Sequence, residues 1–156
     1  MPTTTRPLEI ELVPQTAWYS NLRKVLSKSD WQKLSQYVRA DGVCDICGRH
    51  LPQSKLDAHE KWSYDLETGI QKLEDILSLC KDCHRVKHIG RAQMVGEEPL
   101  AKAWFMKVNQ CSEEDYEIAM NKADTLWQIR SLCEWTLDTS LVDDWLESHK
   151  KGSMSL

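Results

Sequence analysis

The sequence predicts an α+β protein in which a β-hairpin and a short helix are flanked by N- and C-terminal helices, and three features of its 156 residues predict this. Two CxxC pairs, Cys44/Cys47 and Cys80/Cys83, bracket residues 48–79. Those residues read as two extended stretches around a turn, and beyond Gly90 the apolar spacing becomes helical.

Each element has its own signal. After a Thr- and Pro-containing tail over residues 1–7, Leu8 to Val13 alternates apolar and polar as a short strand would, and Pro14 ends it. Asn21 to Leu26 reads as a helix. A firmer one covers Asp30 to about Arg39, with Ser29 as N-cap and Gln32 closing a capping box, and Asp41-Gly42 breaks it. A Cys-rich turn over Val43 to Arg49 leads to extended stretches near Lys55 to Asp65 and Ile70 to Leu79, joined by the turn Leu66 to Gly69. A short helix is expected from about Asp82, with Gly90 as its C-terminal cap. Pro99 suits the first turn of a helix reaching about Val108, and Ser112 with Asp115 caps a longer one to about Glu134. In that helix Tyr116, Ala119, Met120, Ala123, Leu126, Trp127, Arg130 and Cys133 form one stripe, expected to pack on the N-terminal helices. Residues 150–156 are expected to fray.

At 18.1 kDa the chain fits one core with a helical appendage. It has no apolar run near the roughly 20 residues that span a bilayer, and MPTTTRPLEIELV lacks a signal peptide's apolar stretch, so no membrane partner and a cytoplasmic address are expected. The formal charge of −4 argues against coating nucleic acid through bulk electrostatics, without excluding a local basic site. That charge is uneven: residues 1–91 carry 14 Lys+Arg against 12 Asp+Glu, net +2, and residues 92–156 carry 6 against 12, net −6.

Two residues between thiolates let one tight turn aim both sulfurs at one ion, and two such turns complete a tetrahedral site. Cys44, Cys47, Cys80 and Cys83 are therefore expected to bind a structural zinc ion; with all four positions filled by protein, that ion staples the fold and does not catalyse. The division that follows is a strand and helices over 1–42, a zinc core over 43–91 and an acidic helical extension over 92–156. Cys111 and Cys133 lack the spacing and read as ordinary core thiols.

Histidines concentrate in the same region. Strand periodicity puts Asp57 and His59 on one face, and helical periodicity puts His84 and His88 on one side of the short helix. If hairpin and helix pack together, a carboxylate and three imidazoles converge. His50 sits in the first Cys turn and is set aside. The segment KDCHRVKHIGR carries Lys81, Arg85, Lys87 and Arg91 against Asp82 alone, and is expected to face phosphates; Arg23, Lys24 and Lys28 could extend the track. Trp31, Trp104 and Trp127 fall in amphipathic helices and read as core.

These pieces, CDIC, LDAHE and DILSLCKDCHRVKH, resemble the HNH endonucleases of the ββα-metal superfamily over about residues 43–90. The flanking AWYSNLRKVLSKSDW and LWQIRSLCEWTLD are similar to an uncharacterised bacterial and phage branch of that family. The resemblance implies a zinc-stabilised ββα-metal core and metal-dependent hydrolysis of phosphodiester bonds in DNA, leaving 5′-phosphate and 3′-hydroxyl ends. By resemblance His59 is the general base, Asp75 stands where the motif asparagine falls, and His84 and His88 hold the catalytic metal. Mg²⁺, Mn²⁺, Ni²⁺ and Zn²⁺ are all open for that site, with imidazole favouring the softer ions.

Two positions depart from the family pattern. The residue before the first histidine, usually a metal ligand, is Ala58; Asp57 or Glu60 is left to substitute, with Asp57 favoured by its strand face. Asp75 accepts hydrogen bonds but cannot donate them once ionised. The rival reading is a catalytically degenerate zinc module that binds nucleic acid, or binds a protein through its acidic C-terminal helices.

Overall fold

The computed structural model describes residues 6–154, with side chains to residue 149. The chain runs α1 (Leu22–Val25), α2 (Lys28–Val38), β1 (Leu56–Asp65), β2 (Ile70–Cys80), α3 (Lys81–Lys87), α4 (Ile89–Met94), α5 (Glu98–Asn109), α6 (Glu113–Arg130), β3 (Thr136–Asp138) and α7 (Ser140–Met154). It is an α+β protein with a three-stranded sheet in the order β1-β2-β3.

The hairpin is the organising element. β1 and β2 pair antiparallel, from Leu56 opposite Cys80 to Asp65 opposite Ile70. At the turn the Asp65 carboxylate accepts from Glu67 N at 2.9 Å, and Gly69 takes φ +73°, a conformation that disfavours a side chain. The register shifts between Lys61 and Trp62, so β2 carries one extra residue there, a bulge that bends the strand beyond His59.

Each face of the hairpin carries its own core. One gathers Leu77, Leu79, the four paired cysteines, Val86, Ile89, Phe105, Tyr116 and Leu8. It draws on residues from all three expected segments, which therefore share one interior. The other gathers Leu22, Leu34, Leu73, Ile76 and Val142, with Ala58, Trp31 and Trp145 packed against it.

Several local expectations are corrected. Leu8 to Val13 forms no strand: Leu8 exchanges two hydrogen bonds with the Asn109 side chain, and Val13 O accepts from the indoles of Trp18 and Trp127. Its alternation buries Leu8, and side chains rather than a neighbouring strand meet the backbone at Leu8 and Val13. The cap of α2 is Ser27, whose hydroxyl accepts from Asp30 N, rather than Ser29. The helix after Cys83 breaks at His88 (φ −107°, ψ 49°) and restarts as α4, so Gly90 lies inside a helix and caps nothing. The Ser112/Asp115 capping box forms as expected, but α6 ends at Arg130. Its buried Tyr116, Met120 and Ala123 face α5 and the N-terminal segment, not α1 and α2. Strand β3 and helix α7 were not expected. Residues 1–5 of the expected tail and residues 155–156 of the expected frayed end lie outside the described residues, while α7 continues to Met154.

Candidate metal centres

The first centre is the cysteine cluster. Gly48 takes φ +79° in the first knuckle, and Gly48 N and Cys44 N close it on Cys44 O and Arg49 O. Asp45 bolts this turn to β2 through Asp45 N to Ser78 O and Ser78 N to the Asp45 carboxylate, both 2.8 Å. Cys80 ends β2 and N-caps α3, which carries Cys83. The four sulfurs are buried within 4.8 Å of one another, and none is in a disulfide. Cys47 Sγ and Cys80 Sγ lie 3.8 Å apart. That is far beyond a disulfide and close to the edge of about 3.8 Å that a tetrahedron with metal–sulfur bonds of about 2.3 Å requires.

Their surroundings suit thiolates. The Arg49 guanidinium donates to Cys80 at 2.7 Å and Cys47 at 3.4 Å, and Trp104 Nε1 donates to Cys83 at 3.3 Å. Arg49 also stacks over Trp104, 4.7 Å from the ring centroid, and pairs with Asp82 at 3.0 Å. Hydrogen bonding from Cys80 and then Cys83 pulls the Cys44 thiol down to about 3, while Cys44 and Cys80 push Cys83 up. Packed sulfurs cannot all ionise on protons alone, and a divalent cation relieves that conflict. This cluster could hold a structural metal ion such as zinc. The sequence marks Trp104 as core but not as a partner of the cysteines, and it does not single out Arg49, although Arg49 lies only two residues after Cys47. Cys111 and Cys133 lie outside the four-sulfur cluster and are both half-buried; Cys111 packs against the main core, while Cys133 leans on Ile129 O.

The second centre is the histidine cluster. His59 comes from the middle of β1, His84 from α3 and His88 from the break between α3 and α4. Their ligand nitrogens lie within 4.8 Å of one another, with ring centroids 5.4, 5.1 and 4.5 Å apart in edge-on contacts. Burial, followed by His88, His84 and Lys87, pushes His59 down to about 3. Desolvation also lowers His84 against the opposing pull of Asp57, and lowers His88 to about 4. All three are neutral imidazoles near pH 7, the state in which imidazole ligates metals.

Asp57 and Asp75 lie outside this trio. Both Asp57 oxygens are engaged, one by Lys81 Nζ at 2.7 Å and the other by His84 Nδ1 at 3.0 Å. Burial raises its pKa, but Lys81 and His84 outweigh that and hold it below the usual carboxylate range. Such a carboxylate fixes a histidine's tautomer and leaves Nε2 for an ion. Asp75 pairs with Arg6 at 2.8 Å and accepts from Ile76 N. Ala58 is turned to the opposite core, and Glu60 there accepts from Leu22 N at 2.7 Å.

The expected phosphate-facing segment is split. Lys87 is interior, its side chain 3% exposed and paired with Glu11 at 3.3 Å, because its position on α3 turns it toward the core. Arg85 is tied to Asp82 and Glu97. Arg91 and Arg23 instead line the cavity into which the histidines open. Trp31, expected as core, lines that cavity too. His50 is exposed, apart from both centres.

Comparison with protein-family models, with curated proteins and with solved structures finds no match to the chain. Among the described residues no helix is long and apolar enough to cross a membrane.

Proposed function

We propose that the chain is a metal-dependent endonuclease of HNH type that hydrolyses phosphodiester bonds in DNA. The observation that carries this reading is the convergence of His59, His84 and His88, all neutral, beside Arg23 and Arg91. The imidazole donors of His84 and His88 suit Zn²⁺, Ni²⁺ or Mn²⁺ better than Mg²⁺, and the His59 nitrogen is left free.

In this reading His84 and His88 would hold a divalent ion, which would supply positive charge to the pentacoordinate transition state at phosphorus. His59 accepts the proton of the attacking water at its ring nitrogen, and the P–O3′ bond breaks as the P–O bond to water forms. The departing 3′ oxygen takes a proton from solvent. Asp57, gripped by Lys81, keeps His84 in one tautomer. Arg23 and Arg91 bind phosphates on one side of the cut. Asp75 acts at a distance, by holding Arg6 and the bulged strand.

One observation favours a degenerate, binding-only zinc module: Ala58 offers no ligand and Asp57 is already engaged. The deciding experiment incubates supercoiled plasmid and single-stranded circular DNA with Mg²⁺, Mn²⁺, Ni²⁺ and Zn²⁺. The wild type is expected to cut in at least one ion, and His59→Ala to lose about 10² to 10⁴ in rate with its fold retained. No cutting of either DNA in any ion selects the binding module.

A further inference from the structure

The histidine centre lies where two cavities meet. One, of about 490 Å³, is lined by Trp18, Trp31, Arg23 and Arg91 together with the three histidines. The other, of about 610 Å³, has Lys61, Tyr64, Lys122 and Arg130 among its walls. Val13, His59, Glu60, Trp62 and His88 belong to both. A polymer that reaches the histidines therefore has room on either side of them.

The chemistry of the walls narrows the polymer. Cations stand at both ends, and two of the three carboxylates along the way are already engaged, Glu11 by Lys87 and Glu60 by Leu22 N; Glu9 is the third. Aromatic rings line both cavities. Three buried polar atoms on these walls lack a partner: Gln71 Oε1, Asn21 Oδ1 and Arg130 Nε. Gln71 is fully buried, so its unpaired carbonyl is a penalty that a donor arriving in the cavity relieves.

Ring faces and hydrogen-bonding edges are what a nucleobase offers once it leaves a stack, whereas a duplex hides its base faces and brings only phosphates and groove edges. We infer that the two cavities form a groove for single-stranded DNA. Bases lie against the Trp18 and Trp31 walls, phosphates lie at Arg23 and Arg91, and the strand crosses the histidines toward Arg130. This deepens the nuclease reading by naming its substrate form, and rests on that reading for the fate of the strand.

The test uses the full chain with no divalent ion added, a labelled 12-nucleotide DNA strand, the duplex of the same sequence and the matching RNA, read by anisotropy, with strand length checked afterwards. The single DNA strand is expected to bind at least about tenfold more tightly than the duplex. Trp18 is 53% exposed, so its replacement spares the core. Trp18→Ala should weaken single-strand binding about 5-fold or more and leave duplex binding unchanged, while Trp18→Phe restores it. Equal or tighter duplex binding overturns the inference, as does a Trp18→Ala variant that binds the strand like wild type, and tighter RNA binding overturns the choice of DNA. The two failures separate. A protein that cuts plasmid yet prefers duplex loses this inference and keeps the nuclease reading; one that grips the strand and cuts nothing in any ion does the reverse.

Discussion

The cysteine and histidine clusters are both anchored on the β1/β2 hairpin and α3, yet they are built for opposite ends. The cysteine cluster is closed: its four sulfurs are buried within 4.8 Å of one another, and Arg49 and Trp104 donate to them from outside. The histidine cluster is open: it offers three nitrogens at most, His88 is exposed, and Arg23 and Arg91 line the same cavity. Ligand number and access, rather than donor residues alone, are what set a candidate structural ion site apart from one that a ligand can reach.

The sharpest break of this comparison is to remove a sulfur. Cys80 is at once a candidate ligand, the last residue of β2 and the N-cap of α3. Structural zinc contributes about 10 to 16 kcal/mol of folding free energy in small zinc domains, so Cys80→Ala is expected to be insoluble or largely unfolded by circular dichroism. His88→Ala, by contrast, is expected to fold and keep its zinc.

A smaller effect is expected outside the ligand shell. Arg49→Ala removes the donor to two sulfurs and the lid over Trp104. It should weaken zinc retention about 10- to 100-fold in a chelator competition while leaving the histidine centre intact. Undiminished retention would mean that Arg49 serves only its ion pair with Asp82.

The two centres also respond to acid differently. His59 is held to about 3 and His88 to about 4, against 6.5 for the free side chain. Between pH 6.5 and about 4 the unfolded chain therefore binds protons that the folded chain refuses, and stability, full above pH 6.5, falls as pH drops through this window. Thermal melts at pH 7 and pH 5 should show a loss that His59→Gln reduces. An equal loss in that variant would assign the acid sensitivity to groups other than His59.

The smallest effects separate two basic side chains that the sequence treats alike. Lys87→Ala empties an interior position and deprives Glu11 of its partner, with an expected loss of about 1 to 3 kcal/mol in stability and no change in the salt dependence of DNA binding. Arg91→Ala should do the reverse, leaving stability alone and lowering the salt slope by about 1.

That pair marks how far the sequence could be read. The CxxC spacing is a local constraint that made the cysteine cluster legible, and the extended stretches around Leu66 to Gly69 did the same for the hairpin. The His59/His84/His88 convergence was legible from strand and helix periodicity together. The break at His88 was not, because a glycine two residues later reads more naturally as a cap. Lys87 misled because net charge along a segment says nothing of which helix face is buried, and here a lysine is taken inside to meet Glu11 from a distant segment. The irregular path of Leu8 to Val13 depends on the Asn109, Trp18 and Trp127 side chains, which no local pattern reveals. Strand β3 is three residues long and exists through pairing with Ile70–Lys72, again a long-range event.

Metal stoichiometry shows whether one chain carries two metal centres of different kinds, as proposed. Purified protein is analysed for zinc, then titrated calorimetrically with Mn²⁺ and Ni²⁺, in wild type and in the double variant His84→Ala/His88→Ala. The account predicts one retained zinc per chain in both proteins, and a second, exchangeable ion in the wild type alone. A wild type that takes up no second ion, or a double variant that takes one up as readily, would contradict it.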